Sequence, residues 1–290
     1  MSRLPADAAL PSDPAARENL EKILASPSTL RAHEDLAWLA CDELRAVRLQ
    51  LELQRAETIL SEAGITGTIV VFGGTRVVER PQAEQRLAEA EARAAASPAD
   101  EAARRTVERA RRVLAKARYY DEARELGRIA SSICQRDGHY DFVVVTGGGP
   151  GVMEAANRGA FDVGATSLGF NIDLPHEQVP NPYITPGLCI HFHYFALRKM
   201  HFMLRAKALV AFPGGFGTMD ELFETLTLIQ TGKMKPVPVV LVGRQFWEKA
   251  IDLEFLVEEG TISSDDLHIV SYAETAAEAW EAIARFHGIA

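Results

Sequence analysis

Cysteine is scarce in this chain: Cys41, Cys134 and Cys189 are odd in number and lack metal-ligand spacing. That excludes a disulfide framework and a zinc ribbon, and reduced thiols in a cytoplasmic protein are the expectation. Long hydrophobic runs are missing as well. No window approaches the roughly 18 apolar residues of a membrane span. The opening MSRLPADAALPSDPAARENL has no apolar centre for a secretory signal. Positive charge is in deficit, with 31 Lys and Arg against 40 Asp and Glu and a net charge of -9. A protein that coats nucleic acid through a general basic field is thereby disfavoured, although net charge says nothing about one local cleft.

What is present suits a sizeable core: 290 residues, 47% of them hydrophobic. Beyond a Pro-, Ala- and Asp-rich start, residues 15–63 read as helical, with leucines spaced among polar residues. Residues 81–118 are dominated by Ala, Glu and Arg and contain no glycine. Ser97-Pro98-Ala99-Asp100 divides them into two helices, with Ser97 read as the N-cap. This insertion reads as a solvated helical hairpin or an oligomer contact, and its charges are no sign of a nucleic-acid site. Strands are expected at 68–72, 140–146, 165–172, 188–192, 208–212 and 237–242, with a short one at 268–271. Helices are expected at 151–160, 195–204, 218–231, 245–259 and 276–286. Because the strands are continuously apolar, the fold class is α/β: a Rossmann-like open parallel sheet with helices on both faces. A single domain over 1–290 is expected. It comprises a helical N-terminal extension (1–64), the core (65–245) with its insertion, and a C-terminal strand and helices (246–290).

Two glycine loops follow apolar strands. The first is Thr146-Gly147-Gly148-Gly149-Pro150-Gly151. It is either a tight connection or an anion site at a helix start. It is not the dinucleotide fingerprint, since Val152 stands where a third glycine is required. The second is Pro213-Gly214-Gly215-Phe216-Gly217-Thr218, followed by Asp220, Glu221 and Glu224. Acids in a first helical turn complement the helix dipole. A carboxylate beside a phosphate cradle is awkward for pure binding, however, and makes sense if it faces a cation that develops during a reaction.

Between the loops, His191 and His193 share one strand face by period two. Without a third ligand they read as packed or hydrogen-bonded histidines rather than as a metal site. Arg198 and Lys199 open the next helix. Arg198 either pairs on the surface or reaches the loop edge, where a guanidinium matches phosphate or ribose oxygens.

GGGPGVMEAANRGA from Gly147, the Arg198-Lys199 pair and PGGFGTMDE from Pro213 resemble the Lonely Guy (LOG) family. Its members are nucleoside 5′-monophosphate phosphoribohydrolases. Arg118-Tyr119-Tyr120, the stretch Asn171 to Gln178 and Asn181-Pro182-Tyr183 resemble its longer bacterial branch. The first strand ends FGGTR, where many relatives carry FGSAR. The resemblance implies hydrolysis of the N-glycosidic bond of AMP or an N6-modified AMP. By motif it implies Arg198 and Glu221 as the catalytic pair. Amides of Gly214, Gly215, Gly217 and Thr218 would hold the phosphate, and Gly148 and Gly149 would line the other loop. Glu177, Lys199 and Thr227 are weaker substrate contacts. The same resemblance implies no metal or redox cofactor and a homodimer or higher assembly; from charge and hydropathy, neither a nucleic-acid nor a membrane partner is expected. The competing expectation is a non-catalytic carrier of a nucleotide or phosphorylated cofactor. A lysine decarboxylase would need a lysine poised for a pyridoxal Schiff base, and none stands in a convincing setting.

Overall fold

The computed structural model describes residues 10–97, 99–135, 140–173 and 179–289. The chain divides into two compact units, Met1–Gln54 and Arg55–Ala290.

The first unit is helical but more broken than its composition suggests. Helix α1 (Pro14–Ala25) carries Asp13 as N-cap, and two short 3-10 turns follow at Pro27–Thr29 and Ala32–Glu34. Helix α2 (Leu36–Leu39) is capped by Asp35, and a further turn at Asp42–Leu44 leads into α3 (Arg45–Glu62). Side-chain oxygens of Asp13, Ser26 and Asp35 each accept a backbone N–H. Such local bonds compete with a continuous helix and explain the interruptions.

In the second unit, strand β1 (Thr68–Phe72) precedes the insertion, helices α4 (Arg80–Ala96) and α5 (Glu101–Lys116). The cap of α5 is Asp100, not Ser97: the Asp100 carboxylate accepts the Ala102 N–H at 2.8 Å. Pro98 lies outside the described residues. Helix α6 (Arg118–Cys134), strand β2 (Val143–Thr146) and helix α7 (Val152–Asp162) follow. Strand β2 starts later than its apolar run implied. Phe142 takes a positive φ of 52°, its N–H turned onto the Asp141 carboxylate. Then come β3 (Ser167–Ile172), β4 (Cys189–Phe192), α8 (Phe195–Leu204) and β5 (Ala206–Ala211). The chain ends with α9 (Phe216–Gln230), β6 (Val239–Val242), α10 (Arg244–Ala250), α11 (Leu253–Glu258), β7 (Val270–Ala273) and α12 (Ala276–His287).

The seven strands form one sheet in the order β4-β3-β2-β1-β5-β6-β7, and every pairing is parallel. Alternate residues of the central strands β1, β2, β5 and β6 enter opposite cores. Ile69, Val71, Val144 and Val210 pack with α6, α7 and α12. Val70, Phe72, Val143 and Leu209 pack with Leu60, Phe202, Leu222 and Trp247 from the other side. Burial on both faces is why the central strands read as unbroken apolar runs. Only the edge strand β4 alternates, exposing Cys189 and His191 and burying Ile190 and Phe192. Among the described residues no helix is long and apolar enough to cross a membrane.

Candidate functional site

The chain steps outward from β1 to β4 and returns to β5 on the far side of β1, so the strand order reverses between β1 and β5. In open α/β sheets, the crevice beyond the carboxyl ends of the strands at such a reversal is where ligands bind. The loops after β2, β1 and β5 meet there. The Gly74 N–H donates to the Pro213 carbonyl at 3.0 Å, and the Val152 N–H donates to the Gly74 carbonyl at 3.3 Å. Gly151 has a φ of 78°, and any Cβ there would run into the Gly74 carbonyl. The three loops therefore support one another directly.

The first loop is held from within. The Thr146 hydroxyl donates to Asn157 Oδ1 at 2.7 Å and accepts the Gly148 N–H at 3.0 Å. Asn181 donates its backbone N–H to the Gly148 carbonyl at 2.8 Å. Its Nδ2 donates to Asn157 Oδ1 at 3.0 Å and to the Gly149 carbonyl at 3.2 Å. Asn157 in turn donates to the Leu168 carbonyl at 3.0 Å. Buried amides of this kind need partners, and here they find each other. The Gly148 amide is thus committed to Thr146 rather than open to a ligand.

The second loop is different. Helix α9 begins at Phe216, two residues earlier than expected, behind an N-cap glycine, Gly215, with no side-chain cap. The first N–H to return into the helix is that of Met219, bonded to the Gly215 carbonyl at 3.0 Å. The amides of Phe216, Gly217 and Thr218 lie in the first turn, where a helix offers no internal acceptor. With the positive end of the helix dipole behind them, they can serve as an anion cradle. Nothing crowds Gly215 or Gly217, and Phe216 is 95% exposed. Gly214 must be glycine, because a Cβ would collide with the buried Thr218 hydroxyl lying against it.

Glu221 follows Thr218 by three residues and is only 4% exposed. Its Oε2 is buried without a hydrogen-bond partner. Burial pushes the carboxyl up to about 7; the nearby Arg198 and Lys199 cations oppose this, and Glu224 and Asp220 reinforce it. Arg198, from α8, is fixed by Nε–H donation to the Phe170 carbonyl at 2.7 Å and lies over the Phe202 ring at 5.2 Å. Its Nη2 rests against Gly147 of the first loop. Burial lowers its pKa while Glu221 raises it; a guanidinium remains a cation in such a setting. The pair from two helices therefore shares a desolvated space between the loops.

Lys199 is tied up by ion pairs, at 3.0 Å to Asp220 and 3.2 Å to Glu224. Although burial acts to lower its pKa, those carboxylates hold it above the ordinary value. An amine kept protonated in this way is a poor Schiff-base nucleophile. Thr227 sits apart from the cradle, exposed further along α9, its hydroxyl donating to the Phe223 carbonyl at 2.7 Å. Glu177 lies outside the described residues. His191 is hydrogen-bonded to Asp173 at 2.6 Å, and His193 approaches the same carboxylate at 3.6 Å. Among the described residues there is no group of three or more His, Cys, Asp or Glu placed to hold a metal ion. Thr146, Asn157 and Asn181 each fall in a stretch that the sequence marks out, but nothing in the sequence joins them into one network.

Residues 153–283 match a family described as possible lysine decarboxylase. The chain is 31% identical over 163 residues to the cytokinin riboside 5′-monophosphate phosphoribohydrolase LOG of Oryza sativa subsp. japonica, covering 55% of this chain. It is 30% identical over 139 residues to LOG1 of Arabidopsis thaliana, an enzyme of the same description, covering 47% of this chain. In both cases the match spans 64% of the relative's length. Among solved structures, the Moco carrier protein from Chlamydomonas reinhardtii aligns over 77% of this chain and 98% of its own. It is 21% identical, with a TM-score of 0.43. The matched segment takes in both Arg198 and Glu221, and over part of its length the chain is similar to Lonely Guy (LOG) enzymes.

Proposed function

We propose that this protein is a nucleoside 5′-monophosphate phosphoribohydrolase acting on AMP or an N6-modified AMP. The observation that carries the reading is Glu221: a buried carboxyl with an unpartnered oxygen, one helical turn beyond an uncapped anion cradle. A site that only binds a dianionic phosphate gains nothing from a second negative charge beside it. A site that must stabilise a cationic sugar does.

In this mechanism the amides at the start of α9 and the Thr218 hydroxyl hold the 5′-phosphate. Arg198, fixed in plane by Phe170, orients the phosphate or ribose. As the N-glycosidic bond breaks, its electron pair leaves with the base and positive charge develops at C1′. The Glu221 carboxylate stabilises that charge and accepts a proton from the water that adds to C1′. The departing base takes up a proton from solvent, Glu221 returns its own proton to solvent, and the products are free base and ribose 5-phosphate. With its pKa raised to about 7, Glu221 is a better proton acceptor than an ordinary glutamate. The chemistry calls for no metal or redox cofactor. Exposed phenylalanines on the two helices that carry the site, Phe195 on α8 and Phe223 on α9, support a homodimer as the working assembly.

The test is to incubate the purified protein with AMP and with N6-isopentenyl-AMP and to separate the products by chromatography. Free base and ribose 5-phosphate are expected. Tight nucleotide binding with no base released would remove the hydrolase reading and leave a carrier of phosphorylated ligands in its place.

A further inference from the structure

A cavity of about 800 Å³ lies between the α4–α5 hairpin and the cradle side of the sheet edge, bounded by backbone of Gly74, Gly214 and Gly215. Its charged lining is of one sign: Arg76, Arg86, Arg109, Arg112 and Lys116. Among the described residues no Asp or Glu lines it. On α5 the cations recur at i, i+3 and i+7, which places Arg109, Arg112 and Lys116 on one helical face. Arg86 on α4 and Arg76 after β1 complete the ring.

Pairing satisfies only part of the hairpin's charge: Arg105 bonds Glu101 at 2.8 Å and Arg111 bonds Glu91 at 2.9 Å, whereas Arg80, Arg93 and Arg104 form no ion pair among the described residues. What sets the cavity cations apart is their convergence on one hollow. Among the described residues, none of the five cavity cations forms an ion pair; Lys116 only overlies the Phe246 ring at 5.8 Å. Five uncompensated cations facing one hollow repel each other, and the arrangement is the more pointed in a chain of net charge -9. The volume suits one small ligand, and the overall negative charge disfavours a long polyanion such as nucleic acid.

We propose that this cavity is a binding site for an oligophosphate group. Arg109, Arg112 and Arg86 grip its oxygens in the forked geometry that guanidinium favours, and the site opens onto Gly214 and Gly215 of the cradle. The group comes from one of two sources: the phosphate chain of a nucleoside di- or triphosphate whose first phosphate sits in the cradle, or a separate inorganic oligophosphate. The proposal goes beyond the hydrolase reading, since it needs only the charge and shape of the cavity.

The experiment titrates inorganic tripolyphosphate into the full-length protein by calorimetry at low salt. It compares wild type with R109Q/R112Q and with the control R104Q/R105Q, which removes the same charge from α5 outside the cavity lining. Glutamine is about as good a helix former as arginine, so the hairpin is kept, and circular dichroism checks this. The expected result is affinity about tenfold or more weaker in R109Q/R112Q and changed less than about twofold in the control. No binding to wild type, or equal weakening in both variants, overturns the proposal. Competition then identifies the source. If ATP displaces both AMP and tripolyphosphate, the nucleotide's own chain fills the cavity; if tripolyphosphate binds alongside ATP and AMP alike, the ligand is a separate anion. Because binding is read rather than turnover, absent AMP hydrolysis with arginine-dependent binding removes only the hydrolase reading. The reverse pattern removes only this one.

Discussion

Arg198 donates its Nε–H to the carbonyl of Phe170 at 2.7 Å, so a residue at the start of α8 is locked to the end of β3 before any ligand arrives. Its terminal nitrogens are left for the crevice, with Nη2 against Gly147. Lysine keeps the charge but has neither the Nε–H at that position nor a planar fork. Arg198→Lys is therefore expected to lower kcat/KM for AMP by about 100-fold or more. The Tm should change by only a few degrees. Steady-state kinetics with a melting curve checks both, and near wild-type kcat/KM would remove Arg198 from the mechanism.

The raised pKa of Glu221 makes two linked statements about pH. The mechanism uses the carboxylate, so kcat/KM should rise with pH through an apparent pKa of about 7. Stability should move the other way. The folded state holds this proton up to about 7 and the unfolded state releases it near 4.5, so the favourable contribution is complete below 4.5 and is lost as pH rises through 7. Glu221→Gln should abolish turnover while AMP still binds. At pH 8 it should relieve a cost of roughly 3 kcal/mol that is absent below pH 4.5. Urea denaturation of both proteins across that range checks the sign. A variant no more stabilised at pH 8 than at pH 4 would contradict it.

Gly214 and Thr218 are in contact across the turn of the cradle. A methyl group at Gly214 must displace the Thr218 hydroxyl or distort the start of α9. Gly214→Ala is expected to raise the Kd for AMP by about tenfold or more, the loss of one or two charge-assisted hydrogen bonds. Adenosine, which lacks the phosphate, should show no comparable change. Equal losses for nucleotide and nucleoside would mean that the loop does not hold the phosphate.

Asn181 joins the first glycine loop to Asn157 and to the protein interior. Asn181→Leu leaves the Asn157 Oδ1 with one partner fewer and the Gly149 carbonyl without its side-chain donor. A loss of about 1–3 kcal/mol in urea unfolding is expected. Hydrogen exchange should also be faster in residues 147–151. Unchanged exchange there would show that the loop is held without this network.

Much of the architecture was readable because burial on both faces writes itself as uninterrupted apolar strands, and glycine runs mark where the backbone must turn. The sheet, its parallel sense and the two loops follow from such local patterns. The elements that shifted did so through local polar bonds. Asp100 rather than Ser97 caps α5, and Phe142 turns onto Asp141 before β2 begins. The Arg198-Lys199 pair shows the limit of a motif. The two are neighbours in sequence, yet one faces the crevice and the other is neutralised by Asp220 and Glu224.

The sequence by itself determined the class of fold and the presence of a glycine loop at a helix start with a carboxylate beside it. Those properties depend on residues within a few positions of one another. Only the tertiary structure decided that Glu221 is dry enough to titrate near neutrality, that Gly148 serves the loop rather than a ligand, and that cations of the insertion ring a hollow beside the cradle. Desolvation, pairing and cavity shape come from what the rest of the chain brings alongside each residue, and no local pattern encodes them.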